Sequence, residues 1–294
     1  MPQCTFLLDR IAGHYQPEGV IVDFHTHIFP PHVRDHREDY VARDPTFAEM
    51  YADPKAKIAT AEDLLSSMDE ADADVSVALG FAWQDHNDIV RHNDYLLEAA
   101  AAADGRILPF ATVNMADRRA LAEIDRCATA GARGLGELRP DNQGWSLAGE
   151  AGTGDALADA AHRHNLILLF HVTEPGDRRY PGRHGCTVDD FVAFAAAHPD
   201  LTIIGGHLAG DAFRTGNPPP NVYADTAAQP FLYRGEDARP ALNAPPPDRL
   251  LLGSDYPLIT QSRQMDELRR IIPDSQLDAS LGTNGATILG LDHG

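Results

Sequence analysis

The sequence predicts a single-domain (β/α)8 TIM barrel, an α/β fold, on three observations. Apolar strand-like runs alternate with helical segments, there are eight such runs in 294 residues, and most of them end in a side chain able to bind metal. Alternation of this kind argues for βαβ units and a parallel sheet. Eight units within roughly 250 residues argue for a closed barrel over an open sheet. The barrel is expected over 20–291, behind a lead-in at 1–19 that carries Pro2, Gly13, Pro17 and Gly19 and little periodicity.

Taken in order, the first strand is 20–27, a near-continuous apolar run of the kind a strand buried on both faces shows. Residues 30–60 are rich in Pro, Asp, Arg and Tyr and have no clean apolar period. A long irregular connection inside a compact domain is either a lid insertion or a plain surface excursion. Helical spacing follows at 61–71 (Leu64, Leu65, Met68), then a strand at 74–80 and an alanine-rich helix at 86–103. The alternation continues with strand 106–114, helix 117–130, strand 132–138, helix 154–164, strand 166–171, helix 187–197 and strand 201–207. Strand 221–226, a weak helix at 236–243, strand 249–255 and helices at 262–272 and 283–289 complete the chain.

Composition excludes several function classes. A net charge of −20 disfavours nucleic acid and anionic membrane, since phosphate contacts need clustered Lys and Arg. No run approaches the roughly 20 apolar residues of a membrane span. The N-terminus has no basic stretch leading into an apolar one, so no secretory signal is expected. Cys4, Cys127 and Cys186 are far apart and form no metal-finger pattern, which suggests a reduced, cytoplasmic protein. Of the 24 basic residues only Lys55 and Lys57 are lysines, a shortage that codon bias accounts for.

In barrels of this class the active site is built at the carboxyl ends of the strands. The first strand ends in His25 and His27, placed on one side by the two-residue period of a strand. Later strands end in Glu137, His171, His207 and Asp255. Taken singly, a histidine at a strand end is ordinarily structural, and Asp255 alone could be a helix cap. Together, four imidazoles and two carboxylates form a nitrogen and oxygen set suited to Zn²⁺, with Mn²⁺, Fe²⁺ and Ni²⁺ also compatible.

These residues carry a resemblance. The order HxH, acid, His, His, Asp, with DFHTHIFP, AAHPDLTIIGGHLAG, LLLGSDYP and LGTNGATILGL, resembles the amidohydrolase superfamily over about residues 20–291. Its amidohydrolase-related (amidohydrolase 2) branch, which includes aminocarboxymuconate-semialdehyde decarboxylase, is the most similar. The resemblance implies that His25, His27 and Asp255 hold one divalent metal, with Asp255 also the general base. It implies that His171 and His207 hold a second metal, or that His171 completes a one-metal site while His207 acts on substrate. Many members bridge two metals with a carboxylated lysine on the fourth strand, and here no lysine exists beyond Lys57. Glu137 stands at that place, as in TatD-like and some lactonase branches, whereas the decarboxylase branch typically does without a carboxylate there. The expectation is therefore two metals, zinc first, and hydrolysis of a small-molecule amide, lactone or ester by metal-activated water. The alternative is a mononuclear zinc decarboxylase, with a non-catalytic metal-binding barrel behind it. In that case Glu137 binds substrate or pairs with Arg139. The branch often forms homodimers, although no interface signal is present in the sequence.

Further positions are expected near the substrate. Arg139, two residues past Glu137, could clamp a carboxylate bidentately or pair with Asp141. Trp83 and Phe81 could line an apolar wall, His184 could touch substrate, and Asp225 could orient a ligand histidine. The remaining histidines, His92 among them, read as solvent-facing or capping.

Overall fold

The computed structural model describes residues 19–148, 152–174 and 179–291. The expected lead-in lies outside them except for Gly19. Eight strands run in parallel in sequence order: β1 (Val22–His27), β2 (Val75–Leu79), β3 (Ile107–Ala111), β4 (Gly134–Leu138), β5 (Ile167–Phe170), β6 (Ile203–Gly205), β7 (Val222–Asp225) and β8 (Leu250–Leu251). The chain leaving β8 closes the ring on β1. Phe24 N donates to Leu252 O at 2.7 Å, Asp255 N to His25 O at 2.9 Å, and His27 N to Tyr256 O at 2.7 Å. All eight expected strands are present, and the barrel is the fold that the alternation predicts.

Alternate residues fill the interior. Val22, Phe24, Val77, Leu79, Phe110, Leu169, Ile204 and Leu251 form one buried cluster with Ala286 and Leu289 of the last helix, Asn284–Leu289. That helix seats against the start of β1, where Gly282 is indispensable. A Cβ there would lie 1.6 Å from Val20 O. Outside the strands, helices such as Thr153–His164 and Val188–Ala197 pack Leu157, Phe191 and Phe194 onto Leu168 and Phe170.

The structure departs from expectation at 30–60, which carries three short helices, Pro31–Asp35, Arg37–Arg43 and Pro45–Tyr51. Helices of five to seven residues are too short to display a 3.6-residue period. Local chemistry specifies the third: Pro45 starts it, and the Asp44 carboxylate caps it by accepting from Phe47 N at 2.9 Å. The segment buries Tyr40, Phe47 and Tyr51 against Phe29, Phe81 and Trp83, and the Phe47 and Trp83 rings stack at 5.1 Å.

His92 anchors this cluster and is not solvent-facing. It is 1 % exposed, so its Nε2–H donates to Ile28 O at 2.7 Å while Nδ1 accepts from Trp83 Nε1 at 2.9 Å. Acceptance by Nδ1 requires the neutral imidazole, and burial lowers its pKa to about 4. In the unfolded chain the ring titrates near its ordinary value, so between these limits the unfolded state binds more protons. The stability His92 contributes is thus complete above about pH 6.5 and is lost as pH falls toward 4. In His92→Gln the pH slope of urea-unfolding free energy in that window should flatten by up to about 1.4 kcal/mol per pH unit. An unchanged slope would refute this account of the anchor.

Candidate metal centre

The carboxyl ends of β1, β4, β5 and the segments leaving β6 and β8 bring His25, His27, Glu137, His171, His207 and Asp255 together. Two overlapping groups, His25–His27–Glu137 and Glu137–His171–His207, each place their ligand atoms within 4.8 Å of one another. Asp255 Oδ1 completes the first side, 3.4 Å from His27 Nε2 and 3.8 Å from His25 Nε2.

Three of the imidazoles are fixed by a hydrogen bond on their outer nitrogen. His25 Nδ1 donates to Asp225 Oδ2 at 2.7 Å, His207 Nδ1 to Ala227 O at 3.1 Å, and His171 Nε2 to Arg183 O at 3.2 Å. With those protons assigned from the network, the inner nitrogens face the centre as lone pairs. His207 Nε2 lies 3.0 Å from His171 Nδ1, and His25 Nε2 lies 3.2 Å from His27 Nε2. Glu137 Oε1, another acceptor, is 2.7 Å from His171 Nδ1 and 3.1 Å from His207 Nε2. Acceptors converge in this way only around a bound cation or shared protons. Ligands arranged tetrahedrally around Zn²⁺ at 2.0–2.1 Å stand about 3.3 Å apart, close to the spacings here. The donor set fits a divalent cation.

The local backbone is bent to make this convergence. The ladder between β4 and β5 breaks register between Leu135 and Leu138, and the Gly136–Glu137 peptide is cis. His207 and Asp255 occupy the left-handed region, with φ of 58° and 61°. Non-glycine residues seldom adopt it outside helix caps and turns, and such conformations cluster at functional sites. Gly206 leaves the space beside them open, since a Cβ there would sit 3.3 Å from His25 Cε1. Electrostatics follow the geometry. Without a cation, burial opposes charge on His25, but the Asp225 carboxylate overrides it and raises the pKa to about 10, so the ring takes up a second proton that metal binding would displace. Burial likewise opposes ionisation of Asp255, yet the surrounding His27, His25 and His207 hold it down at about 2.

The centre opens into a cavity of about 720 Å³ whose wall includes Tyr51, Phe81 and Leu258. Arg139 is on that wall and 2 % exposed. It does not pair with Asp141. Its Nε donates to His184 O at 2.9 Å, and its Nη2 donates to Gly182 O and His184 O. Only Nη1 makes no hydrogen bond to the described residues, so the expected bidentate clamp is reduced to one nitrogen.

Two expected contacts are corrected. Trp83 is not on the cavity wall: it is buried in the aromatic cluster with its indole N–H committed to His92. The His184 side chain is exposed off the cavity, and what the residue supplies is its carbonyl. Phe81 does face the cavity and Asp225 does contact His25. The sequence reading missed Met50, Tyr51, Lys55 and Lys57, which lie in the 30–60 segment.

A family described as amidohydrolase matches residues 22–291, nearly the whole chain. The protein belongs to this amidohydrolase family. No curated protein matches it by sequence. Among solved structures, this amidohydrolase is similar to 5-carboxyvanillate decarboxylase from Sphingomonas paucimobilis, with 17 % identity and a TM-score of 0.70 over 92 % of this chain and 99 % of that one. It is also similar to dihydroxybenzoic acid decarboxylase from Polaromonas with bound manganese and 2-nitroresorcinol, at 15 % identity, TM-score 0.71 and coverage of 94 % and 98 %. A third, described as a probable 2-pyrone-4,6-dicarboxylic acid hydrolase from Acinetobacter baumannii, gives 14 % identity, TM-score 0.64 and coverage of 92 % and 99 %. At these identities the likeness concerns the fold.

Asp225 is 0 % exposed and orients His25. In Asp225→Asn the amide can no longer act as the charged acceptor, and metal affinity should fall about 10–100-fold with far-UV circular dichroism unchanged. Competition against a chelator measures it, and wild-type affinity in the variant would sink the assignment.

Proposed function

We propose that the protein is a metal-dependent decarboxylase of a small carboxylated substrate. The observation that carries this reading is Arg139, a buried guanidinium that faces the cavity beside the donor cluster. Arginine stays charged when buried, and its one uncommitted nitrogen suits a substrate carboxylate. The neighbours named as decarboxylases of 5-carboxyvanillate and dihydroxybenzoic acid add support, and the manganese in one of them agrees with the donor set here. The hydrolysis expected from Glu137 thereby becomes the second reading.

His25, His27, Asp255 and His171 would hold the cation, which when bound supplies positive charge to orient substrate oxygens and stabilise negative charge in the reaction. Arg139 Nη1 holds the carboxylate, and the apolar wall of Tyr51 and Phe81 excludes water from it. Loss of CO₂ leaves an electron pair on carbon that needs a proton. With Nδ1 tied to the Ala227 carbonyl, Nε2 is the atom of His207 that can deliver it. Burial opposes that proton, and Glu137 in contact with Nε2 favours it strongly enough to raise the pKa.

Hydrolysis is favoured by one specific observation: Glu137 belongs to both donor groups, with Oε1 2.7 Å from His171 Nδ1 and Oε2 3.9 Å from His27 Nε2, as a carboxylate shared between two metal positions does. The readings separate cleanly. Metal-replete protein given hydroxylated and methoxylated benzoates should release CO₂, carry about one metal per chain and incorporate no ¹⁸O from labelled water. Turnover confined to lactones, esters or amides, with ¹⁸O in the product and two metals per chain, would establish hydrolysis instead. Asp255→Asn should lower turnover at least about 100-fold with the fold intact, and chelation should abolish it.

A further inference from the structure

The cavity mouth has a charge opposite to the rest of the molecule. The chain carries −20 overall and has two lysines in 294 residues. Both of them, Lys55 and Lys57, line this one cavity, together with Arg179 and Arg234. All four are exposed and come from three parts of the chain: Lys55 and Lys57 from the loop after Pro45–Tyr51, Arg179 from the loop after β5 and Arg234 from the segment after β7. No ion pair to a described residue is made by any of them, although most arginines on the surface, Arg106, Arg119 and Arg126 among them, do pair with carboxylates. The only carboxylates lining the cavity among the described residues are Glu137 and Asp255, both inside the donor cluster.

Lys55 and Lys57 stand two residues apart in one loop, so what local sequence does not explain is that Arg179 and Arg234, far away in the chain, converge on the same opening. In an acidic protein, four unpaired cations around a mouth with low-dielectric walls focus a positive field into it. The space behind them is large. A cavity of about 150 Å³ suffices for benzene, whereas this one is about 720 Å³, so a ring held by Arg139 leaves room for substituents reaching the rim.

We infer that Lys55, Lys57, Arg179 and Arg234 form a second anion subsite at the rim, and that the substrate carries at least two anionic groups, one at Arg139 and another here. This deepens the decarboxylase reading and rests on its placing the substrate in this cavity. The second group is a carboxylate or a phosphate, both of which suit mixed Lys and Arg donors.

The test is binding and not turnover, so it stands apart from the fate of the reaction. Calorimetry at low ionic strength on metal-loaded protein compares benzoate, benzene-1,3,5-tricarboxylate and 4-carboxyphenyl phosphate. One polyanion or the other should bind about tenfold more tightly than benzoate, and which one binds identifies the second group. Added salt should erode that advantage. The Lys55→Ala/Lys57→Ala double variant should lose most of it, as should Arg234→Ala, each about fivefold to tenfold, with benzoate affinity unchanged. These side chains are exposed and unpaired, so the variants should fold as wild type does. Equal affinity for all three probes, or polyanion affinity unaltered in both variants, would overturn the inference.

Discussion

One buried carboxylate ties the site together. Asp225, at the end of β7, uses Oδ2 to hold His25 on β1 and Oδ1 to accept the backbone N–H groups of His207 and Ala227. Three strand ends are thus fixed by one side chain that never needs to touch substrate. A fully buried charge is tolerable only where its lone pairs are all satisfied. Asp225 meets that condition through the His25 ring and two amides. The same bonds set the imidazole's tautomer and turn the chain after β6 so that His207 faces inward. Ligand geometry here is the downstream result of satisfying one anion.

A similar economy governs the wall of the cavity. The three short helices after β1 would have little stability alone, since helices below about 12 residues are marginal in water. Aromatic packing on Phe29, Phe81 and Trp83 holds them, and His92 ties that cluster to the barrel through Ile28 O. A stiff apolar layer therefore separates the donor cluster from solvent on this side. Its outward end presents Lys55 and Lys57, so one segment supplies both the apolar wall and part of the charged rim.

Much of this was legible in the sequence. Eight apolar runs, each found in its expected order, reflect the continuous apolarity of a strand buried on both faces, although β3, β6 and β8 stop two to four residues short of the expected ends. His25, His27, Glu137, His171, His207 and Asp255 were recognisable because a barrel turns strand ends into neighbours whatever their separation in the chain. Trp83 and His184 were misplaced for a different reason. Which way a side chain turns in a loop depends on competing partners: the indole found His92, and the loop at 182–184 turned its carbonyls toward Arg139. The lysines were noticed as a shortage, but their meeting with Arg179 and Arg234 at the cavity is a tertiary fact that no local pattern carries. Reaction type was the hardest to read. Glu137 pointed to hydrolysis, while the buried guanidinium and the neighbours favour loss of CO₂.

Arg139 has one more consequence. Its orientation comes from the backbone carbonyls of residues 182 and 184, groups that every amino acid possesses. Position 184 is therefore open to almost any side chain without disturbing the cation. Position 182 is not: its φ of 81° strains any other residue, and a Cβ there would have to push the Met50 side chain aside. The length and path of this loop, more than its side chains, therefore aim the charge into the cavity.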